Sequence, residues 1–150
     1  MTPRELDTAT IQANLGVMRE LLDDLELVGP VDTDRLERDH LLRYAVERIL
    51  TQLVDLAVAI NSHCAAALLG RGPADYRESF RLMAVGGVLS AELANELAPS
   101  VGLRNVLTHQ YVALDPAIVV RSVPLALTSY RRYLGAVAQF LLGEGGSTGR

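Results

Sequence analysis

Apolar residues recur at steps of three and four along most of the chain, the spacing of one buried helix face. Leu6, Ala9, Ala13, Val17, Leu21 and Leu25 predict a first helix over residues 4–28, ended by Gly29-Pro30. Glycine there suits a left-handed cap, and proline cannot continue the ladder. Asp34, with Glu37 three residues on, has capping-box spacing. No proline or glycine follows before Gly70, so a second helix of about 35 residues, roughly 50 Å long, is expected. Leu36, Leu42, Ala45, Ile49, Leu53, Leu56, Ile60 and Ala67 form its stripe, which Val46, Leu50, Ala57 and Cys64 widen.

Gly70-Arg71-Gly72-Pro73 reads as a loop. Asp75 then caps a short helix from Tyr76 to Val85 with Phe80 and Met83 inward, and Gly86-Gly87 bends or breaks it. Val88 to Leu97 follows, with Leu89, Leu93 and Leu97 on one face, and Pro99-Ser100 separates it from a helix starting at Val101 and ending near Tyr111. Asp115-Pro116 opens the last helix as cap and first residue. It runs to about Leu142 along Val119, Val123, Leu127, Tyr130, Leu134, Val137 and Leu141, and Pro124 should kink or divide it. Residues 143–150 hold four glycines and read as a flexible tail. No strand and no repeat emerges. The expectation is one all-α domain over residues 1–142, an antiparallel bundle of about five or six helices.

Composition sharpens this. Of 150 residues, 49% are hydrophobic but only 5% aromatic, with no Trp, so the core is aliphatic and suits helix packing. One cysteine, Cys64, excludes an internal disulfide and fits a reducing cytoplasm. No secretory leader pattern opens the chain, and no apolar run approaches the roughly 20 residues of a membrane span. His63-Cys64 is too sparse a pair for zinc, so neither a metal nor another cofactor is expected. Asp55, inside an apolar run, reads as a satisfied half-buried acid rather than a catalyst.

The chemistry concentrates in Gly102-Leu103-Arg104-Asn105-Val106-Leu107-Thr108-His109-Gln110-Tyr111, an Arg-x4-His-x-Tyr spacing. Arg104 and His109 project about 140° apart and roughly 7.5 Å along an ideal helix. One helix does not gather them at a point, whereas two such helices across a twofold axis could. The residue types suit metal-free RNA cleavage, in which a ribose 2′-hydroxyl attacks the neighbouring phosphorus. Histidine can act as base or acid near neutral pH, and arginine can hold the charge growing on phosphoryl oxygens. Asn105 could bind phosphate, and Tyr111 could stack on a base.

This stretch, followed by the helix start at Leu114-Asp115, resembles the signature of the HepT toxins in the HEPN superfamily. Arg43-Tyr44-Ala45-Val46-Glu47-Arg48 and Asp55-Leu56-Ala57 look like that family's second helix. Phe80-Arg81-Leu82 and Gly86-Gly87-Val88-Leu89 fall where it has a short helix and a turn. The resemblance implies a helical bundle that pairs as a homodimer around a cleft lined by both motifs. It implies a metal-independent endoribonuclease toxin with Arg104 and His109 as the catalytic pair, and Asn105 and Tyr111 in support. It also implies an MntA-like nucleotidyltransferase antitoxin as partner, which transfers AMP to the tyrosine matching Tyr111.

The formal charge of −4 argues against general polyanion binding, so an RNA site needs a local basic patch, for which Arg43, Arg48, Arg77, Arg81 and Arg104 are candidates. Two other readings stand beside the ribonuclease. One is a non-catalytic helical partner or substrate-holding subunit of a nucleotidyltransferase. The other is a plain structural bundle.

Overall fold

The computed structural model describes residues 5–109 and 114–147. Among these residues there are seven helices and no strand: α1 (Thr8–Val28), α2 (Thr33–Arg38), α3 (His40–Leu69), α4 (Tyr76–Val85), α5 (Ala91–Leu97), α6 (Ser100–His109) and α7 (Pro116–Ser147). α3 is the axis, packing against α1, α2, α4, α6 and α7, while α5 bridges α4 to α7. The expected all-α bundle is present.

The first departure is at the start of the long second helix, which is divided. Asp32, not Asp34, caps α2 by accepting from the Arg35 N–H. Asp39 then serves both helices, closing α2 with its own N–H and opening α3 by accepting from the Leu42 N–H at 3.0 Å. Its non-helical backbone (φ −119°, ψ 90°) breaks the ladder although neither proline nor glycine is present. Arg35 fixes the corner, donating through Nη1 to the carbonyls of Val28 (2.6 Å) and Pro30 (2.9 Å). Four orphan N–H groups at a helix start make an aspartate cap worth about 1 kcal/mol, enough to choose a boundary.

Other boundaries shift less. α1 begins at Thr8 under an Asp7 cap, whose carboxyl the Thr10 hydroxyl and N–H hold below the usual carboxylate range. Gly29 closes it at φ 73°, ψ −161°, which is not the left-handed helical cap but a region only glycine occupies readily. The buried face of α1 is Ile11, Leu15, Met18, Leu22 and Leu25, while Ala9, Ala13 and Val17 are exposed. Both stripes have helical spacing, and the one with more apolar area went inside. Likewise Val46, Leu50, Ala57 and Cys64 lie at the centre of the α3 face, whereas Ala45 is exposed and Ile49 and Leu56 are half-buried. α7 runs unbroken through Pro124 and on past Leu142 to Ser147, so residues 143–147 are helix and not tail. Residues 148–150 lie outside the described residues.

α3 does reach the length and hydropathy of a membrane span, with a mean hydropathy of 1.4 over its most apolar window. That measure is met by length and composition alone, and Arg43, Glu47, Asp55 and Asn61 interrupt the apolar run. Its apolar residues are the hub of the bundle, and it buries a polar network in its C-terminal half. There Asn61 accepts from the Tyr133 hydroxyl at 2.7 Å and donates to Ser79 Oγ at 3.1 Å, joining α3, α7 and α4. Cys64 is buried beside this network, and burial pushes its thiol up to about 11. His63 points the other way and accepts the Asp7 N–H at 2.8 Å through Nε2, stitching α1 to α3. The pair therefore does two separate structural jobs.

Candidate active site

α6 is placed by its apolar side. Val101 is buried, and Leu103, Val106 and Leu107 pack against the core at helical spacing. Their burial turns Asn105, Thr108 and His109 outward as an exposed stripe at steps of three and four, with Arg104 on its border. Ser100 pins the start of the helix, donating to the Leu97 carbonyl at 2.6 Å and lying 2.7 Å from the Tyr130 hydroxyl. Tyr130 is buried, and that burial raises its phenol well above its ordinary range, so the hydroxyl stays neutral.

Arg104 is held on three sides. Its Nε donates to Asp55 Oδ1 at 2.8 Å, its Cζ lies 5.0 Å from the Tyr76 ring centroid, and Nη1 approaches Asn105 Oδ1 at 3.5 Å. The first is a charge-assisted bond between α3 and α6, and the second a cation–π contact with the first residue of α4. Only 20% of the Arg104 side chain remains accessible, but that part opens into a cleft of about 350 Å³ lined by Asp75, Tyr76, Arg77, Val101, Arg104 and Asn105. Clefts of roughly 300–1,000 Å³ take small ligands, so a nucleotide fits by size. An arginine oriented through Nε leaves its terminal N–H groups as a fork for phosphate oxygens.

Asp55 is thus half-buried and satisfied, as its position in an apolar run suggested. Its partner, however, is the motif arginine, a relation no spacing within α3 revealed. Tyr76 was placed in sequence only as a helix start. A carboxylate interrupting a core face was the available signal for Asp55, and none existed for Tyr76.

The motif does not close on itself within one chain. Arg104 and Asn105 share the cleft, whereas His109 is exposed on the last turn of α6 and does not line it. Tyr111 lies outside the described residues. Of the candidate basic residues, Arg77 joins Arg104 in the cleft, and Arg77 and Arg81 line the groove beside it. Arg81 is paired with Glu78 at 3.2 Å, and Arg43 with Glu47 at 3.0 Å on α3. Arg77, Arg81 and Arg104 thus lie together between α4 and α6, among the carboxylates of Asp55, Asp75 and Glu78.

Comparisons with known proteins agree with this architecture. The family described as Ribonuclease HepT-like matches residues 18–137. The chain is 28% identical over 137 residues to the tRNA nuclease HepT of Aphanizomenon flos-aquae (strain 2012/KM1/D3), covering 91% of this chain and 93% of that one. It is 27% identical over 110 residues to the mRNA nuclease HepT of Shewanella oneidensis (strain MR-1), covering 71% and 80%. Among solved structures, the tri-AMPylated Shewanella oneidensis HEPN toxin in complex with MNT antitoxin superposes with a TM-score of 0.77 at 23% identity, over 87% of this chain and 97% of that one. The Bacillus subtilis cytosolic protein YutE gives 0.80 at 18% identity, over 93% of each chain. At these identities the structures speak for the fold. The match over residues 18–137 settles the family: this chain is a member of the ribonuclease HepT-like family.

Proposed function

We propose that this protein is the toxin of a HepT/MntA-type toxin–antitoxin pair, a metal-independent endoribonuclease acting in the cytoplasm. The observation that carries it is Arg104, oriented by Asp55 and Tyr76 into an open cleft, with His109 exposed on the same helix. Arg104 holds the phosphoryl oxygens and stabilises the charge that grows there. His109 takes the proton from the ribose 2′-hydroxyl or returns one to the departing 5′-oxygen. Asn105, the exposed neighbour of both, adds a phosphate or sugar contact. Because His109 stands outside the cleft of its own chain, the working site pairs two copies, with arginine and histidine supplied across a twofold axis.

A nucleotidyltransferase antitoxin neutralises it in this reading, and AMP placed on Tyr111 adds phosphate charge and bulk beside the motif. Support comes from the named relatives, two of which are nucleases, and from a similar fold solved in an AMPylated complex with its antitoxin. Incubation with a nucleotidyltransferase and ATP should add the mass of AMP to Tyr111, and a label on another residue removes this part of the proposal.

The chemistry is tested on the substrate. RNA in which deoxyribose replaces ribose at the cleaved nucleotide should not be cut there, since the attacking hydroxyl is gone. Continued cutting rules out the mechanism. Asp55 offers a subtler check. A partly exposed ion pair is worth about 1 kcal/mol at most, so Asp55→Ala should lower kcat about fivefold while KM for RNA falls or stays level. The fall in KM follows because a carboxylate leaves the neighbourhood of the phosphate. A variant that raises KM alone contradicts a positioning role.

A further inference from the structure

The cleft at Arg104 continues into a neighbouring groove lined by Asp75, Arg77, Glu78, Arg81, Asn95 and Ala98, with Asp75 and Arg77 common to both. The charges along this path are not equivalent. Arg104 is bonded to Asp55, and Arg81 to Glu78 at 3.2 Å; Glu78 also takes Arg71 at 3.2 Å. Asp75 accepts the Glu78 N–H as the cap of α4. Arg77 is exposed and has no hydrogen-bond or ion-pair partner among the described residues. Its guanidinium lies across Gly102 of the motif helix, where a Cβ would come to 3.1 Å from Nη2. The absence of a side chain at Gly102 thus lets this cation lie against α6, two residues before Arg104.

From this arrangement we infer that Arg77 is a second phosphate-binding residue, contacting the RNA backbone at a linkage beside the scissile one, with the strand continuing along the α4–α5 groove. The inference rests on the ribonuclease reading above. An unpaired guanidinium beside a paired one divides the labour. Arg104 is held rigid for the reacting phosphate, and Arg77 is left open for a non-reacting neighbour. Binding energy from a non-reacting linkage lowers KM and leaves the chemical step nearly untouched. A cation on one phosphate also releases one share of condensed counterions, so it sets part of the salt dependence of binding.

The test compares the full chain carrying Arg77→Gln with the unaltered protein, and with Arg19→Gln on α1 as a charge-matched control. Binding of a labelled single-stranded oligoribonucleotide is followed across salt concentrations in a His109→Ala background, which keeps the strand intact. Cleavage is measured separately with His109 present. Arg77→Gln should make the slope of log K against log salt shallower by about 0.7, the value for one phosphate on a single strand. It should raise KM at least about threefold with kcat within about twofold, and Arg77→Lys should restore the slope. Equal slopes and KM values in a protein that still cleaves RNA overturn the role of Arg77 and leave the ribonuclease standing. If the unaltered protein neither binds nor cuts RNA, both readings fall together. An effect of Arg77→Gln on nucleotidyltransferase binding with none on RNA assigns the groove to that partner and overturns the inference.

Discussion

His109→Ala should reduce RNA cleavage by about 10²–10⁴-fold, the usual contribution of a positioned acid or base. Arg104→Ala should cost about 10²–10³-fold, comparable to removing one donor from an anion-stabilising site. Neither change should unfold the protein. His109 is exposed at a helix end, and the Arg104 ion pair is partly solvated, so each costs little in stability. The two losses should appear in kcat more than in KM, because both interactions strengthen as the phosphorus is attacked.

Mixing the two variants discriminates further. In a pair formed by one Arg104→Ala chain and one His109→Ala chain, the first supplies a histidine and the second an arginine, so one composite site is intact. With random exchange about half the pairs are mixed and each keeps one of two sites, so about a quarter of the activity should return. A mixture as inactive as its components would place arginine and histidine of one chain in each site. No RNA cleavage by the unaltered protein, with binding to a nucleotidyltransferase retained, would instead favour a non-catalytic subunit of that enzyme.

Asn61→Ala should lower stability by about 2–3 kcal/mol. Asn61 is fully buried with Tyr133 and Ser79, and among the described residues it is the only side chain bonded to both. Removing it takes the shorter acceptor from the Tyr133 hydroxyl, which keeps only the Ala57 carbonyl at 3.1 Å. Ser79 loses its donor while still donating to the Tyr76 carbonyl at 2.7 Å. Buried polar groups stripped of a partner cost about 1–3 kcal/mol each, reduced here by the partners that remain. Tyr133→Phe, which leaves Asn61 Oδ1 without its donor, should cost about 1–2 kcal/mol. Urea unfolding measures both, as a lower midpoint at unchanged m. A shift under about 0.5 kcal/mol for Asn61→Ala would mean that the network is not a structural joint. The same network fixes the first turn of α4, and hence the tyrosine on which Arg104 lies. Asn61→Ala should therefore also loosen the site.

Much of this protein is written locally. The helical class, the caps at Asp75 and Asp115, the Gly70 loop and the inward Phe80 and Met83 all depend on residues within a few positions of one another. The motif helix could be found because its chemistry is also local, with Arg104, Asn105 and His109 inside two turns. Local rules failed where two local answers competed. Asp32 took the cap expected of Asp34, Asp39 broke a ladder that no proline or glycine marked, and α1 buried a different stripe of equal spacing.

By itself, the sequence determined that this is an aliphatic helical bundle carrying an Arg-x4-His motif, because periodicity, capping and residue chemistry are short-range properties. Only the tertiary structure decided which stripe of α1 faces the core, and that Arg104 is gripped by Asp55, 49 positions earlier, and by Tyr76. It also laid Arg77 over Gly102 with no ion-pair partner among the described residues. Those contacts join residues far apart in the chain, and they exist because α4 and α6 both bury their apolar faces against α3 and so carry their polar edges together.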